Sequence, residues 1–385
     1  MVKAASCFAQ VLELVDRHDF ARAVRELDAE RGAKGFRCWD QLVAMLFCQV
    51  GSAHSLREIC GGLATALGRV VHLGLKEAPK RSTLAYANEH RPWELYERTF
   101  GQMLERCREL AAERRRAFRF KNPLRVLDST AIDLCLEVFD WARYRRTKGA
   151  VKVHLQLDDR GCLPCWALVT EGCVHDVRVA QGLSFAPGTI VAMDRGYVDY
   201  GLFGRWSAQD VRFVTRMKTN ALYEVVETLP PAPGVLRAQR IRLTGSAAAA
   251  CPVLLRRVVV WDEEYQREIA LLTNDHRLAP GTIARIYRFR WQIELFFKAL
   301  KQNLRIKTFV GTSENAVKIQ IWTALIAMLL LKFLQLKSSW AWSLSNLAAM
   351  FRFNLLTYRD LWAWLDDPYG VPIREPTGEQ LVLPI

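Results

Sequence analysis

Three carboxylates in this chain, Asp128, Asp194 and Glu294, could do chemistry together. Asp128 lies at the end of the apolar, β-type run that starts at Leu124. Asp194 closes a second such run, Thr189 to Met193, just before a turn at Gly196. Apolar runs of this kind mark central strands, so each aspartate stands where a buried strand reaches an edge. Strand ends of open α/β sheets are where sites form. Two carboxylates placed side by side repel each other unless a divalent cation neutralises them. A third carboxylate, Glu294, sits in a helical stretch further on. Three acidic oxygen donors suit Mg²⁺ or Mn²⁺. Two such ions clamp the attacking and leaving oxygens of a phosphoryl transfer.

The stretch around Glu294 reads as one helix from Tyr287 to Lys301. Ile286, Phe289, Ile293, Phe296 and Leu300 recur in steps of three and four, which marks a buried stripe. One position round runs a polar stripe of Tyr287, Arg290, Glu294, Lys298 and Lys301. Taken alone, Arg290 and Glu294 make an ordinary surface ion pair worth roughly 0.3–0.5 kcal/mol. The two aspartates upstream give the pair another meaning.

Asp128, Asp194 and Glu294 together resemble the DDE triad of bacterial insertion-sequence transposases. The helix is similar to the YREK signature of the insertion-sequence-four group, with Tyr287, Arg290, Glu294 and Lys301 at the spacing of that motif. The run Asp194 to Tyr197 resembles the motif around that family's second aspartate. The likeness extends from about residue 8 to residue 335. It implies an α/β fold: an RNase H-like catalytic core with a mixed sheet, a helical N-terminal domain and a β-rich insertion. It also implies two Mg²⁺ (or Mn²⁺) ions held by the triad, and double-stranded DNA as partner, both transposon ends and target. The implied reaction is cut-and-paste transposition through a hairpin, carried out by a DNA-bound homodimer. Tyr287, Arg290 and Lys301, with Lys298 on the same stripe, would then grip terminal phosphates. Trp261, near the end of an insertion strand, would stack on a flipped base, as a Trp does in related hairpin-forming transposases. Core packing is the competing reading for Trp261.

The bulk numbers agree with a polyanionic partner. The chain has 385 residues, 51% of them hydrophobic, a net charge of +14 and a pI near 9.5. That is enough for a large core and for two or three domains. Ten cysteines lack the spacing of a disulfide framework. The first residues read as an amphipathic helix and not as a signal peptide, so reduced thiols in a bacterial cytoplasm are expected. The longest apolar run, Ile321 to Leu331, is shorter than the roughly 20 residues a bilayer requires. It reads as a core helix, with no membrane partner.

The elements that must position these residues follow in order. Residues 8–30 and 39–50 carry helical spacing, and a third helix begins at Ser55 with Glu58 as its capping partner. The segment 80–91 is basic, with Ser82 as candidate cap and with Asn88 and Arg91 able to read base edges. It suits either a helix-turn-helix reader or a solvated helix in a small bundle. A long helix at 93–113 leads to a basic joint at Arg114, Arg115, Arg116, Arg119 and Lys121. Strands are expected at 124–134, 151–158, 163–171, 189–194 and 211–218, with a hairpin turn at 158–161 and a helix at 199–208. Four more β-type runs fill 221–277, and Pro280 opens the helix that carries Glu294.

The layout reads as a DNA-binding domain at 1–115, core at 119–220, insertion at 221–278, core again at 279–337 and a helical tail at 338–385. Between the first strands, Trp141 to His154 is basic and carries two aromatics. Arg145, Arg146 and Lys148 are its candidate phosphate contacts. Cys162, Cys165, Cys173 and His175 lack the paired spacing of a zinc site and read as free side chains. His175 and Asp176, at the end of the third strand, suit either support of the metal ligands or a helix cap. An RNase H-like nuclease, and a catalytically silent DNA-binding relative, are the other functions this pattern allows.

Overall fold

The computed structural model describes residues 5–371, apart from 67–68, 115, 136, 140, 146–147, 231, 264–265, 305 and 307. The N-terminal part is helical, as its spacing predicts. Ser6 caps α1 (Cys7–Leu12) and Asp16 caps α2 (Arg17–Glu26). Then come α3 (Cys38–Val50), buried almost throughout, and α4 (Leu56–Ala64). The expected capping pair forms on α4: the Ser55 hydroxyl accepts from the Glu58 N–H, and the Glu58 carboxylate accepts from the His54 N–H. Next are α5 (Arg81–His90) and α6 (Glu94–Ala112). The cap position of α5 is Lys80, without a side-chain cap bond, so Ser82 lies inside the first turn and does not cap. The helix starts two residues early, at Arg81, with Lys80 between it and Pro79.

The β part forms one ten-stranded sheet. Its strands are β1 (Leu124–Leu134), β2 (Arg143–Arg145), β3 (Lys148–Asp158), β4 (Pro164–Glu171), β5 (Ile190–Met193), β6 (Arg212–Arg216), β7 (Tyr223–Thr228), β8 (Arg237–Leu243), β9 (Leu255–Asp262) and β10 (Arg267–Thr273). Short β2 was not expected from the pattern. Between strands lie α7 (Asp176–Gln181), α8 (Tyr200–Ala208) and α9 (Ser246–Ala250), and after them α10 (Pro280–Phe289) and α11 (Trp291–Asn303). The β3–β4 hairpin turns at the expected place, with Gly161 at φ +68° and Cys162 at φ +51°.

In the core the order is β4-β3-β1-β5-β6. β3 is antiparallel to both β1 and β4, whereas β5 runs parallel to β1 and β6 parallel to β5. That is the RNase H-like arrangement. The insertion continues the same sheet from β6 through β10, β9, β8 and β7. Under it, α8 buries Leu202, Phe203 and Trp206, and the Phe203 and Phe213 rings stack at 4.0 Å.

Two compact units emerge: residues 115–135 with 142–297, and residues 1–114 with 136–141 and 298–385. The second is helical and gathers both ends of the chain. It includes α12 (Glu314–Lys337), α13 (Leu344–Phe353) and α14 (Leu361–Asp366). α12 is long and apolar enough to cross a bilayer by composition, yet it packs against α6, α3, α5 and α13 and is buried on nearly every side. The Trp93 and Trp322 rings lie nearly parallel, 6.3 Å apart, across that packing. The N–H groups of Cys7 and Phe8 donate to the carbonyls of Thr357 and Leu355. The described part of residues 5–114 therefore shares a core with α12 and the C-terminal helices, and does not close a core of its own.

Candidate active site

Register places the first two carboxylates. In the parallel β1–β5 pair, Leu127 faces Met193 in the last rung, so Asp128 and Asp194 come side by side just past it: Asp194 follows the end of β5, whereas Asp128, expected at a strand end, lies inside β1 and still pairs with Leu155 of β3. Burial at this edge is partial, with the Asp128 side chain 18% exposed. The Ser129 N–H donates to the Asp128 carboxylate at 2.8 Å.

The third carboxylate arrives differently from the expectation of one continuous helix. α10 ends at Phe289, Arg290 forms the junction, and α11 starts at Trp291. Arg290 keeps helical dihedrals, but the Ile293 N–H bonds back only three residues, to the Arg290 carbonyl. That tightened turn is the break. No Pro or Gly causes it. The Arg290 guanidinium is pulled toward two acids at once, 2.6 Å from Glu294 and 3.4 Å from Asp128, with its side chain only 11% exposed. The Tyr287 hydroxyl lies 3.5 Å from Asp194. So the YREK helix pair touches both aspartates.

Electrostatics follow from this crowding. Burial pushes the Asp128 carboxyl up to about 7; the Ser129 N–H and Arg290 oppose the rise, while Asp194 and Glu294 add to it. Burial also raises the Tyr287 hydroxyl, against the pull of nearby Arg290. A cavity of about 600 Å³ opens here, lined by Asp194, Arg216, Trp261, Arg267, Tyr287, Arg288, Arg290 and Glu294 among others. Trp261 is 42% exposed on this wall and is no core residue.

Do these residues suit a divalent metal? Among the described residues, no three His, Cys, Asp or Glu side chains already converge as a ligand cluster. Yet the donors are all carboxylate oxygens, and Asp128 is raised first by burial, with Asp194 and Glu294 adding to the rise against the Ser129 N–H and Arg290. An acidic set short of countercharge fits a hard divalent cation.

A sheet of RNase H-like order, with Asp194 and Glu294 on an open cavity beside four arginines and Asp128 next to Asp194, suits a metal-dependent phosphoryl-transfer enzyme. Sequence comparison agrees. Residues 119–330 match the transposase DDE domain, and residues 3–76 match a domain of unknown function, DUF4372. A Sinorhizobium fredii protein named as the transposase y4zB is 33% identical over 282 residues, covering 71% of this chain and 77% of that one. The transposase named for insertion sequence element IS5377 of Geobacillus stearothermophilus is 32% identical over 71% of this chain and 72% of its own length. That of element IS4SA from Synechocystis is 31% identical, over 54% of this chain and 59% of its own. The chain belongs to the DDE transposase family, whose members act on DNA.

The other expected DNA contacts divide. Lys298 and Lys301 lie one and two turns beyond Glu294 on α11. Arg145 and Lys148 lie in β2 and β3, flanking Arg146, which falls outside the described residues. Asn88 and Arg91, expected as candidate readers of base edges, are both engaged within the protein. Asn88 is buried and accepts from Gln41 Nε2 at 2.8 Å, and Arg91 donates to the Phe36 and Arg37 carbonyls. The packing of α5 on its neighbours uses them up. Its solvent face instead presents Tyr86, 65% exposed, stacked at 4.0 Å on His90. Asp176 does more than begin α7: it gathers Ser129, Lys152 and His154. Of that group only Asp176 was singled out by sequence, since its partners meet only through sheet register.

Proposed function

We propose that this transposase binds the terminal inverted repeats of its own insertion sequence and moves it by cut-and-paste. The observation that supports this most is the Arg290 guanidinium seated against Asp128 and Glu294, beside the paired Asp194. Asp128, Asp194 and Glu294 hold divalent cations, Mg²⁺ or Mn²⁺ and two in number. When bound, these lower the pKa of water and offset charge on the phosphate in flight. Arg290 offsets the same carboxylates in the metal-free protein and keeps Glu294 aimed.

Tyr287, Lys298 and Lys301 grip the terminal phosphates, and Arg145, Arg146 and Lys148 track the backbone nearby. Trp261, exposed on the cavity wall, stacks on a base flipped out as the hairpin forms. The helical N-terminal region, residues 1–115, recognises the element end. On α5 that task falls to the exposed Tyr86 and His90 face, with Arg81 at its start. Two ends must be held together, so the working form is a homodimer on DNA, in the cytoplasm.

The test is product analysis on a labelled duplex carrying the inverted repeat. Nicking to a 3′-hydroxyl, then a hairpin, then joining to a target plasmid is the expected sequence. A nuclease of the same fold would stop after cutting, and that product pattern would replace this reading.

A further inference from the structure

Asp176 accepts hydrogen bonds from two strands and lies beside a buried histidine of one of them. The Ser129 hydroxyl donates to its Oδ1 at 2.8 Å and Lys152 Nζ at 3.3 Å, while His154 Nδ1 lies 3.7 Å away. Register explains the convergence. Ser129 pairs with His154 across β1 and β3, and Lys152 lies two residues from His154 on the same face. His154 is fully buried and its Nε2 meets the Thr170 hydroxyl at 3.0 Å. Lys152 also donates to the Val174 carbonyl at 2.9 Å, which ties β3 to the turn before α7. From there α7 packs against the 195–197 turn that follows Asp194.

One carboxylate thus links the surroundings of both aspartates of the site. Toward β1 it fixes Ser129, whose N–H holds the Asp128 carboxylate. Toward β5 it fixes the helix that leans on the turn after Asp194. We propose that Asp176 is a positioning residue: through Ser129 and α7 it sets the spacing and aim of Asp128 and Asp194 for a divalent cation. This rests on the triad reading given above. Asp176 does not touch DNA or the reacting phosphate. A charged acceptor is needed because Lys152, 15% exposed, must be paired, and because an anion draws the Ser129 hydroxyl away from the Asp128 carboxylate.

The experiment compares full-length wild type, Asp176→Ala, Asp176→Asn, Ser129→Ala and Asp128→Asn. Two readouts are taken: the Mn²⁺ dependence of melting in the absence of DNA, and end nicking at saturating DNA across Mg²⁺ concentrations. Outer partners of metal ligands typically change affinity or activity about 10–100-fold. Asp176→Ala should raise the Mn²⁺ concentration for half of the melting shift about tenfold, and lower nicking by a similar factor. High Mn²⁺ should restore part of the loss. Asp176→Asn should fall between, and end binding should not change. Ser129→Ala, which removes one hydroxyl, should show the same defect in milder form, and decides the matter where Asp176→Ala does not fold. Wild-type metal dependence in both Asp176→Asn and Ser129→Ala, with Asp128→Asn inert, overturns the proposal and leaves the triad standing. Nicking by Asp128→Asn would instead remove the triad.

Discussion

Asp128 is held near neutrality by its own surroundings, and this has a consequence in the absence of metal. Its carboxyl titrates near 7 in the folded protein against an ordinary value of 3.8. The folded state therefore binds the proton more tightly than the unfolded state. Stability conferred by that proton is present below about pH 4 and is lost as pH rises toward 7, about 1.4 kcal/mol per pH unit. Asp128→Asn removes this loss. The metal-free variant should melt with the wild type near pH 4, above it by pH 7, and by a constant margin beyond. Melting curves across pH check this; parallel curves at every pH would mean that Asp128 is not strained by its neighbours. Arg290 gives a second test. A surface ion pair would lose a few tenths of a kcal/mol on Arg290→Lys. Seated at 11% exposure between two acids, the guanidinium fork is not replaceable by an ammonium. Nicking should fall at least about tenfold while end binding changes little. Steady-state nicking of Arg290→Lys at the wild-type rate would return the pair to the surface class.

At the scale of elements, strands were the legible part. The apolar runs predicted nine of the ten strands within a few residues, and the parallel β1–β5 pair brings Asp128 and Asp194 together, although Asp128 lies inside its strand and only Asp194 follows a strand end. What sequence could not carry was anything set by partners far along the chain. The break at Arg290 carries no Pro or Gly signal, and the contact of its guanidinium with Asp128 joins residues far apart in sequence. Ser129, Lys152 and His154 converge only through register. Asn88 and Arg91 looked like readers because helical spacing does not say which face meets Gln41 and the 36–37 carbonyls. These assignments separate by experiment. Asn88→Ala should lower stability by about 1–3 kcal/mol, since it strands the buried Gln41 amide. Tyr86→Ala and His90→Ala should leave melting intact and weaken binding to the element end relative to scrambled DNA. Equal discrimination by both surface variants would move end recognition off α5.

The whole molecule divides differently from its sequence blocks. α12 lies with α3, α5 and α6, and the chain's first helix bonds to residues 355–357. A fragment of residues 1–115 would expose the surfaces of α3 and α6 that α12 covers, and apolar area of that size does not stay soluble. It should aggregate or lack cooperative melting, and a soluble, cooperatively melting fragment would contradict this packing. Binding should accordingly be studied on the full chain, whose net charge of +14 calls for affinity that falls steeply with salt. The central claim is that three carboxylates from β1, β5 and α11 form one catalytic centre. The most direct measurement is single-turnover nicking of an inverted-repeat duplex by Glu294→Gln, with binding followed on the same DNA. Nicking should drop by several orders of magnitude in Mg²⁺ while the bound fraction stays at the wild-type level. Nicking by Glu294→Gln within a few-fold of wild type would contradict the claim and place the chemistry elsewhere.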